Sequence, residues 1–249
     1  MTLELGIKEV DKILGGVGER SLILIHEADS RSLGKFIAFE VLRNKLESDN
    51  LVGYFNIGTP LPIVLSVMEK SGINWKKHLL QDRLMIIDTF GSIYDLKTDL
   101  ENVWYLKKPI DIDTLNEKYL EVIRAHKQRW LERGMFENRE LWGITVSISD
   151  YLPIFGPKAT QKYLEVSDLL RSRSDVYKRY PAGTNVWTYT GVDTIVLPLI
   201  YRKADYVFRT ESKCESGEVK RYLHIVKAPD LEKIESVEYH FVNGRITFM

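Results

Sequence analysis

The chain has 249 residues, with 35 Lys and Arg against 35 Asp and Glu, so its formal net charge is zero. A chain of this length buries one large core, and balanced charge speaks against sequence-independent nucleic-acid binding, which relies on excess cations to neutralise phosphates. A single cysteine, Cys214, excludes an internal disulfide and a cysteine-based zinc cluster, and suits a reducing cytoplasm. Met1 to Asp11 is too charged for a secretory signal, and no apolar run reaches the ~18 residues that mark a membrane helix, so a cytoplasmic protein without membrane association is expected.

In chain order, Gly6-Ile7-Lys8-Glu9-Val10-Asp11-Lys12-Ile13-Leu14-Gly15-Gly16 reads as a short helix closed by glycines. Ser21 to Ile25 is a buried strand. From Leu33 onward a helix places Leu33, Ile37, Val41 and Leu42 on one face and closes at Ser48-Asp49-Asn50. The turn between them, Asp29 to Phe36, stands where a phosphate-binding G-x-x-x-x-G-K-[ST] loop would stand. Gly34 and Lys35 fit that pattern, whereas Asp29 replaces the first glycine and Phe36 the hydroxyl residue. Ser30, Ser32, Gly34 and Lys35 are the candidate phosphate-binding residues.

Val52 to Ile57 is the next strand, and Leu61 to Gly72 an amphipathic helix. Leu84 to Asp88 is a third strand whose last residue, Asp88, either caps the following turn or faces a ligand at the sheet rim. Residues 92–109 are aromatic and charged. Asp113 to Arg133 is a long helix with Leu115, Tyr119, Val122, Ile123 and Trp130 in its apolar stripe. Leu141 to Ile148 has the β-branched run of a central strand, and Lys158 to Arg171 forms another helix. Residues 171–184 read as a basic, aromatic loop. In it Arg171, Arg173, Lys178 and Arg179 could meet phosphates beside Tyr177 and Tyr180, or Asp168 and Asp175 could hold it as a solvated loop. Asn185 to Tyr189 is a strand, Asp193 to Arg202 a buried helix broken near Pro198, and Ala204 to Glu211 a further strand. Residues 219–227 and 237–248 alternate as antiparallel strands, the last pair turning at Asn243-Gly244. Cys214 falls in the turn between Glu211 and Glu218.

The opening helix with its double glycine, the strand after it, the Gly34-Lys35 turn and the Ala204-Asp205-Tyr206-Val207-Phe208-Arg209 stretch together resemble the KaiC-like group of RecA-fold P-loop ATPases, in its archaeal KaiC/RadB-like form. The resemblance implies an α/β fold, a RecA-like three-layer α/β/α arrangement with a mainly parallel central sheet and antiparallel C-terminal strands. It implies one domain over residues 1–249, with a lead-in at 1–20, a core at 21–211 and C-terminal strands at 212–249. It also marks where the ATPase parts would lie, and Walker A and Walker B both read as degenerate. The second strand ends in Asn56-Ile57-Gly58-Thr59-Pro60 without a carboxylate to act as general base. Ser147 falls where the Walker B aspartate belongs, with Asp150 three residues on. Lys227-Ala228-Pro229 stands for the K-x-R stretch that reaches a neighbour's nucleotide.

Phosphoryl transfer depends on positioning and electrostatic stabilisation by those parts. The expectation is therefore a non-catalytic, pseudo-ATPase member that binds a protein or peptide as a regulatory or assembly partner, by self-association or with a KaiC/RecA-like paralogue. No catalytic residue, cofactor or metal is expected, and the five histidines show no metal spacing. One alternative is a weakly active ATPase that binds ATP through Lys35, with Mg²⁺ moved to Asp88 or Asp150. Another is a recombinase-like DNA-binding accessory protein acting through Arg171, Arg173, Lys178 and Arg179.

Overall fold

The computed structural model describes residues 2–249, apart from the side chains of Asp168, Arg171, Ser172 and Tyr177. The chain enters through β1 (Thr2–Leu3), α1 (Lys8–Leu14) and β2 (Val17–Gly18), with β1 and β2 paired antiparallel. Asp11 turns its carboxylate back to accept the N–H groups of Leu5 at 2.7 Å and of Gly6 and Ile7 at 2.9 Å. Gly15, at φ 66°, ends the helix in the left-handed conformation that glycine tolerates.

The core elements follow as β3 (Leu22–Glu27), α2 (Lys35–Glu47), β4 (Leu51–Asn56), α3 (Leu61–Lys70), α4 (Trp75–Leu80), β5 (Leu84–Asp88), α5 (Thr89–Tyr94), β6 (Val103–Trp104) and α6 (Ile112–Glu132). Then come β7 (Leu141–Val146), α7 (Tyr151–Phe155), α8 (Pro157–Arg173), α9 (Asp175–Arg179), β8 (Thr184–Thr190), α10 (Val196–Lys203) and β9 (Tyr206–Glu215). The chain closes with β10 (Glu218–Lys227), β11 (Glu235–Val242) and β12 (Arg245–Phe248). Ten strands form one sheet in the order β12-β11-β10-β9-β3-β8-β7-β4-β5-β6. Pairing is parallel from β9 to β6 and antiparallel from β9 to β12.

Both faces of the parallel region are covered, which is why its strands are apolar almost throughout. On one face Ile23, Ile25, Val52, Tyr54 and Ile144 pack against Val10 of α1, Ile37 and Leu42 of α2 and Met68 of α3. On the other, Leu24, Ile87 and Val207 pack against Leu115, Tyr119 and Ile123 of α6, Leu164 of α8 and Ile200 of α10. The result is the three-layer α/β/α architecture with antiparallel C-terminal strands. From β3 the chain departs to β4, beyond β8 and β7, and it later returns to the other flank of β3 as β9. This reversal makes the carboxyl end of β3 the topological switch point, the position at which open α/β sheets bind ligands.

Several local expectations are corrected. Helix α2 starts at Lys35 rather than Leu33, because a 3₁₀ turn at Ser30–Ser32 leaves Leu33 left-handed at φ 56°. Pro198 does not break α10: it sits in the first turn, where its missing N–H is not needed. Asp193 satisfies the N–H groups just before it, accepting from Ile195 at 2.7 Å, Val196 at 2.5 Å and Leu197 at 3.0 Å. Residues 171–173 end α8 and 175–179 form α9, with Ser174 extended between them, rather than one loop. Cys214 lies within β9, and the turn that follows is at Ser216-Gly217.

Candidate functional site

At the carboxyl end of β3 the Ala28 N–H donates to the Thr210 carbonyl at 3.0 Å, which continues the register with β9. Asp29 follows in an extended conformation and folds its carboxylate back over the next turn. Oδ1 accepts the N–H groups of Arg31 at 3.0 Å and Ser32 at 3.1 Å and the Ser212 hydroxyl at 2.6 Å, and Oδ2 accepts the Ser212 N–H at 2.8 Å. Burial works to raise the pKa of this carboxyl, but the hydrogen bonds from Ser212, Ser32 and Arg31 outweigh it and hold the group below the usual carboxylate range. Backbone N–H groups at such a turn are an anion site. Here their anion is a side chain of the same chain.

The rest of the turn is fastened to β9 and β11. The Ser32 side chain is fully buried, donating to the Asp29 carbonyl at 2.7 Å and lying 2.9 Å from the Thr210 hydroxyl. The Tyr239 hydroxyl donates to the Ser32 carbonyl at 2.6 Å. Gly34 is pressed so closely on Thr210 that a Cβ would stand 2.1 Å from Thr210 Oγ1. Ser30 is exposed, and Lys35 opens α2 half-buried. Of the four candidate residues, Ser32 and Gly34 are thus packed against β9, while Ser30 is exposed and Lys35 half-buried.

The Lys35 charge acts on two carboxyls, Glu27 and Asp150. Glu27 ends β3 and is 1% exposed. Burial pushes its carboxyl up, against the Lys35 charge and the Thr190 hydroxyl, which donates at 3.1 Å. Burial pushes Asp150 up to about 6, with Lys35 pulling it down. Asp150 packs on Gly58, where a Cβ would lie 2.4 Å from its Oδ2. Glu27, Thr210 and Ser212 were not singled out as site residues from sequence. A carboxylate two residues before Asp29 was the only local signal; Thr210 and Ser212 reach the turn solely through the β3–β9 pairing.

The other positions marked by the resemblance have local duties. Phe36 is partly buried against the core, its ring 4.5 Å from that of Phe241. Ser147 is left-handed at φ 59° just past β7, and its N–H donates to Thr188 Oγ1 at 2.6 Å. Asn56 donates to the Thr59 carbonyl and to Asp88 Oδ1, both at 2.7 Å. Asp88 is fully buried and caps α5 through the Gly91 N–H at 3.0 Å; burial raises its carboxyl, opposed by the bonds from Gly91 and Asn56. Among the described residues no group of three or more His, Cys, Asp and Glu could hold a metal ion. The Lys227 ammonium turns to the Tyr201 and Arg202 carbonyls at 3.2 Å and to that of Ala204, closing the end of α10.

In the basic segment, Arg173, Lys178 and Arg179 are exposed. The Arg171 and Tyr177 side chains, like that of Asp168, lie outside the described residues. Tyr180 is 5% exposed and donates its hydroxyl to Gln128 at 2.6 Å, so its ring is not free to stack on a base. His26 is likewise committed, to the Tyr201 hydroxyl at 2.6 Å and the Gly191 carbonyl at 2.9 Å. No helix among the described residues is long and apolar enough to cross a membrane.

Among solved structures, the chain is similar to the uncharacterized protein PH0321 from Pyrococcus horikoshii, which was crystallised in complex with an unknown peptide. The two are 40% identical, with 100% of this chain and 99% of that chain covered and a TM-score of 0.93. This chain belongs to the PH0321 family. The KaiC-like protein PH0186 from the hyperthermophilic archaeon Pyrococcus horikoshii OT3 also matches, at 13% identity over 100% of this chain and 99% of that one, with a TM-score of 0.74. At that identity the likeness speaks for the fold alone, and the fold of this PH0321-family chain is the RecA type found in KaiC-like proteins. No protein-family model matches the chain, and no curated protein does.

Proposed function

We propose that this chain is a non-catalytic, peptide-binding protein built on a single RecA-type domain, acting as a regulatory or assembly partner. The observation that carries the binding half of this reading is the peptide found with PH0321, at 40% identity across the whole chain. The non-catalytic half rests on Asp29. A phosphate brought to within about 4 Å of that carboxylate meets a repulsion of roughly 4 kcal/mol at an effective dielectric of about 20. That is on the order of a thousandfold in affinity. Displacing Asp29 instead breaks its bonds to Arg31, Ser32 and Ser212. Phe36 packed against the core, Asn56 and Ser147 at the strand ends and Lys227 folded onto α10 leave no Mg²⁺ hydroxyl, general base or cation reaching a neighbour at these positions.

The test is to pan random displayed peptides of about twelve residues, a length that covers the usual recognition modes, on the purified protein, then to titrate synthetic winners by calorimetry. Sequence-selective binding at micromolar affinity or better is the expected result; enrichment of no sequence above background refutes the reading.

One observation favours a second reading. Lys35 is kept at the head of α2, with Glu27 and Asp150 within reach of its charge. A weakly active ATPase would use Lys35 on the outer phosphates and Asp150 near the metal. It requires phosphate release from Mg-ATP that disappears in Lys35→Ala.

A further inference from the structure

The central sheet carries a depression on its α6 and α8 face. Gly53 of β4 pairs with Gly143 of β7, and Gly143 with Asn185 of β8, so two neighbouring strands lack side chains at the same level. The missing side chains make room for neighbours: a Cβ at Gly143 would lie 2.4 Å from Asn185 Oδ1, and one at Gly53 3.1 Å from Met85 Cε. Beside this depression, and lined by neither glycine, lies a partly open cavity of about 80 Å³ reaching between α6 and α8. Gly53 and Gly143 themselves line an adjoining hollow of about 50 Å³, with Lys127 at its wall, that shares Phe55, Ile123 and Asn185 with the larger cavity. Together they approach the roughly 150 Å³ that accommodates a benzene ring in a protein interior.

The lining of the larger cavity defines what it can take. Among the described residues no charged one lines it; Phe55, Tyr119, Tyr163 and Trp187 supply aromatic walls. An ion entering would lose hydration without a partner, which costs several kcal/mol or more. Besides the Asn116 amide on α6, whose Nδ2 reaches the Tyr163 carbonyl at 3.4 Å, two polar groups stand on the sheet. Among the described residues neither the Thr145 hydroxyl nor the Asn185 amide oxygen has a hydrogen-bond partner, the Asn185 Nδ2 being spent on the Gly183 carbonyl at 2.9 Å. Tyr119 and Tyr151, by contrast, bond each other at 2.7 Å, so their hydroxyls are already used. A neutral ring fits the walls, and a single hydroxyl on its far edge would meet Thr145 and Asn185.

We infer that this cavity is the anchor pocket of the peptide site and that it takes an aromatic side chain, tyrosine before phenylalanine. The inference rests on the peptide-binding reading for its occupant. Apolar walls with one or two placed polar groups are what such pockets use to combine affinity with orientation.

The probes are N-acetyl-Gly-Gly-Xaa-Gly-Gly-amide peptides with Xaa as Tyr, Phe, Ala, Lys or Asp, and p-cresol alone, measured by calorimetry and saturation-transfer NMR. The Tyr peptide should bind about fivefold tighter than the Phe peptide, the value of one neutral hydrogen bond. The Phe peptide should bind at least about tenfold tighter than the Ala peptide, as burial of an aromatic ring requires. The Lys and Asp peptides should not bind. In Thr145→Val, an isosteric change that leaves the walls intact, the preference for Tyr over Phe should vanish while the Phe peptide still binds. Gly143→Ala should weaken both aromatic peptides, with Thr145→Val deciding the matter if that variant does not fold. Binding of peptides selected by panning that is indifferent to Xaa and to Thr145→Val overturns the pocket while leaving the peptide-binding reading standing. Binding of p-cresol without any aromatic peptide overturns it too, making the cavity a site for a free aromatic molecule.

Discussion

Asp29 and Ser212 are 183 residues apart in sequence and are joined twice, through the Ser212 N–H at 2.8 Å and its hydroxyl at 2.6 Å. The two bonds close the anion site of the turn from within and tie it to β9. Asp29→Ala leaves the Arg31, Ser32 and Ser212 N–H groups without this acceptor and removes the N-cap of the 3₁₀ turn. The expected cost is about 2–3 kcal/mol, read as a lower urea midpoint at unchanged slope. Wild-type stability in the same titration would show that the carboxylate is not holding the turn.

Gly34 meets Thr210 in a contact without room for a methyl group. Gly34→Ala should destabilise by about 1–3 kcal/mol through overpacking. In a Thr210→Ala background, which removes the Oγ1 standing 2.1 Å from the new Cβ, the same change should cost less than half as much. Simple additivity in this double-mutant cycle would mean that Gly34 is there for another reason.

The fold was legible because most of its signals are local. The apolar stripe of α6, the run Leu84–Asp88 and the Asn243-Gly244 turn all appear where periodicity and turn chemistry put them. The boundaries that failed depend on partners distant in sequence. Leu33 leaves the helix because the turn before it is pinned to Ser212 and Thr210, and no window around residue 33 contains either of them. Helix α4 was missed because its six residues are too short for a period, although Asn74 caps it. Of the site, the substitutions at Asp29 and Phe36 could be read, but that Asp29 would find its partners on β9 could not. The pairing of Gly53 with Gly143 was also hidden, because β4 and β7 become neighbours only through a long crossover.

Asp150 gives the molecule a dependence on pH. Its folded pKa is raised to about 6 from 3.8, so the folded state holds this proton more tightly than the unfolded state. Its contribution is therefore most favourable below the unfolded value and is lost as pH rises through about 6. Asp150→Asn keeps the contact with Gly58 without the buried charge. At pH 7–8 it should be more stable than wild type by up to about 2 kcal/mol, allowing for partial solvation, with the gain fading below about pH 4. Thermal melts across that range give the sign directly; a gain that grows toward acid pH contradicts it.

The exposed cations of α8 and α9 should be solvated rather than functional. Changing Arg173, Lys178 and Arg179 together to Ser should alter stability by less than about 1 kcal/mol, as for isolated surface charges. Gel shifts with single-stranded DNA at low salt should show no complex for either protein. A wild-type shift lost in the triple variant would point to a nucleic-acid partner.

The most direct measurement is a calorimetric titration of Mg-ATP into the wild-type protein, run on the same preparation as a panned peptide. The peptide should bind, and Mg-ATP should give no binding heat at concentrations up to about 1 mM, an affinity weaker than roughly −4 kcal/mol. Micromolar binding of Mg-ATP, with phosphate release abolished by Lys35→Ala, would contradict this: the turn would then cradle a nucleotide despite the carboxylate of Asp29.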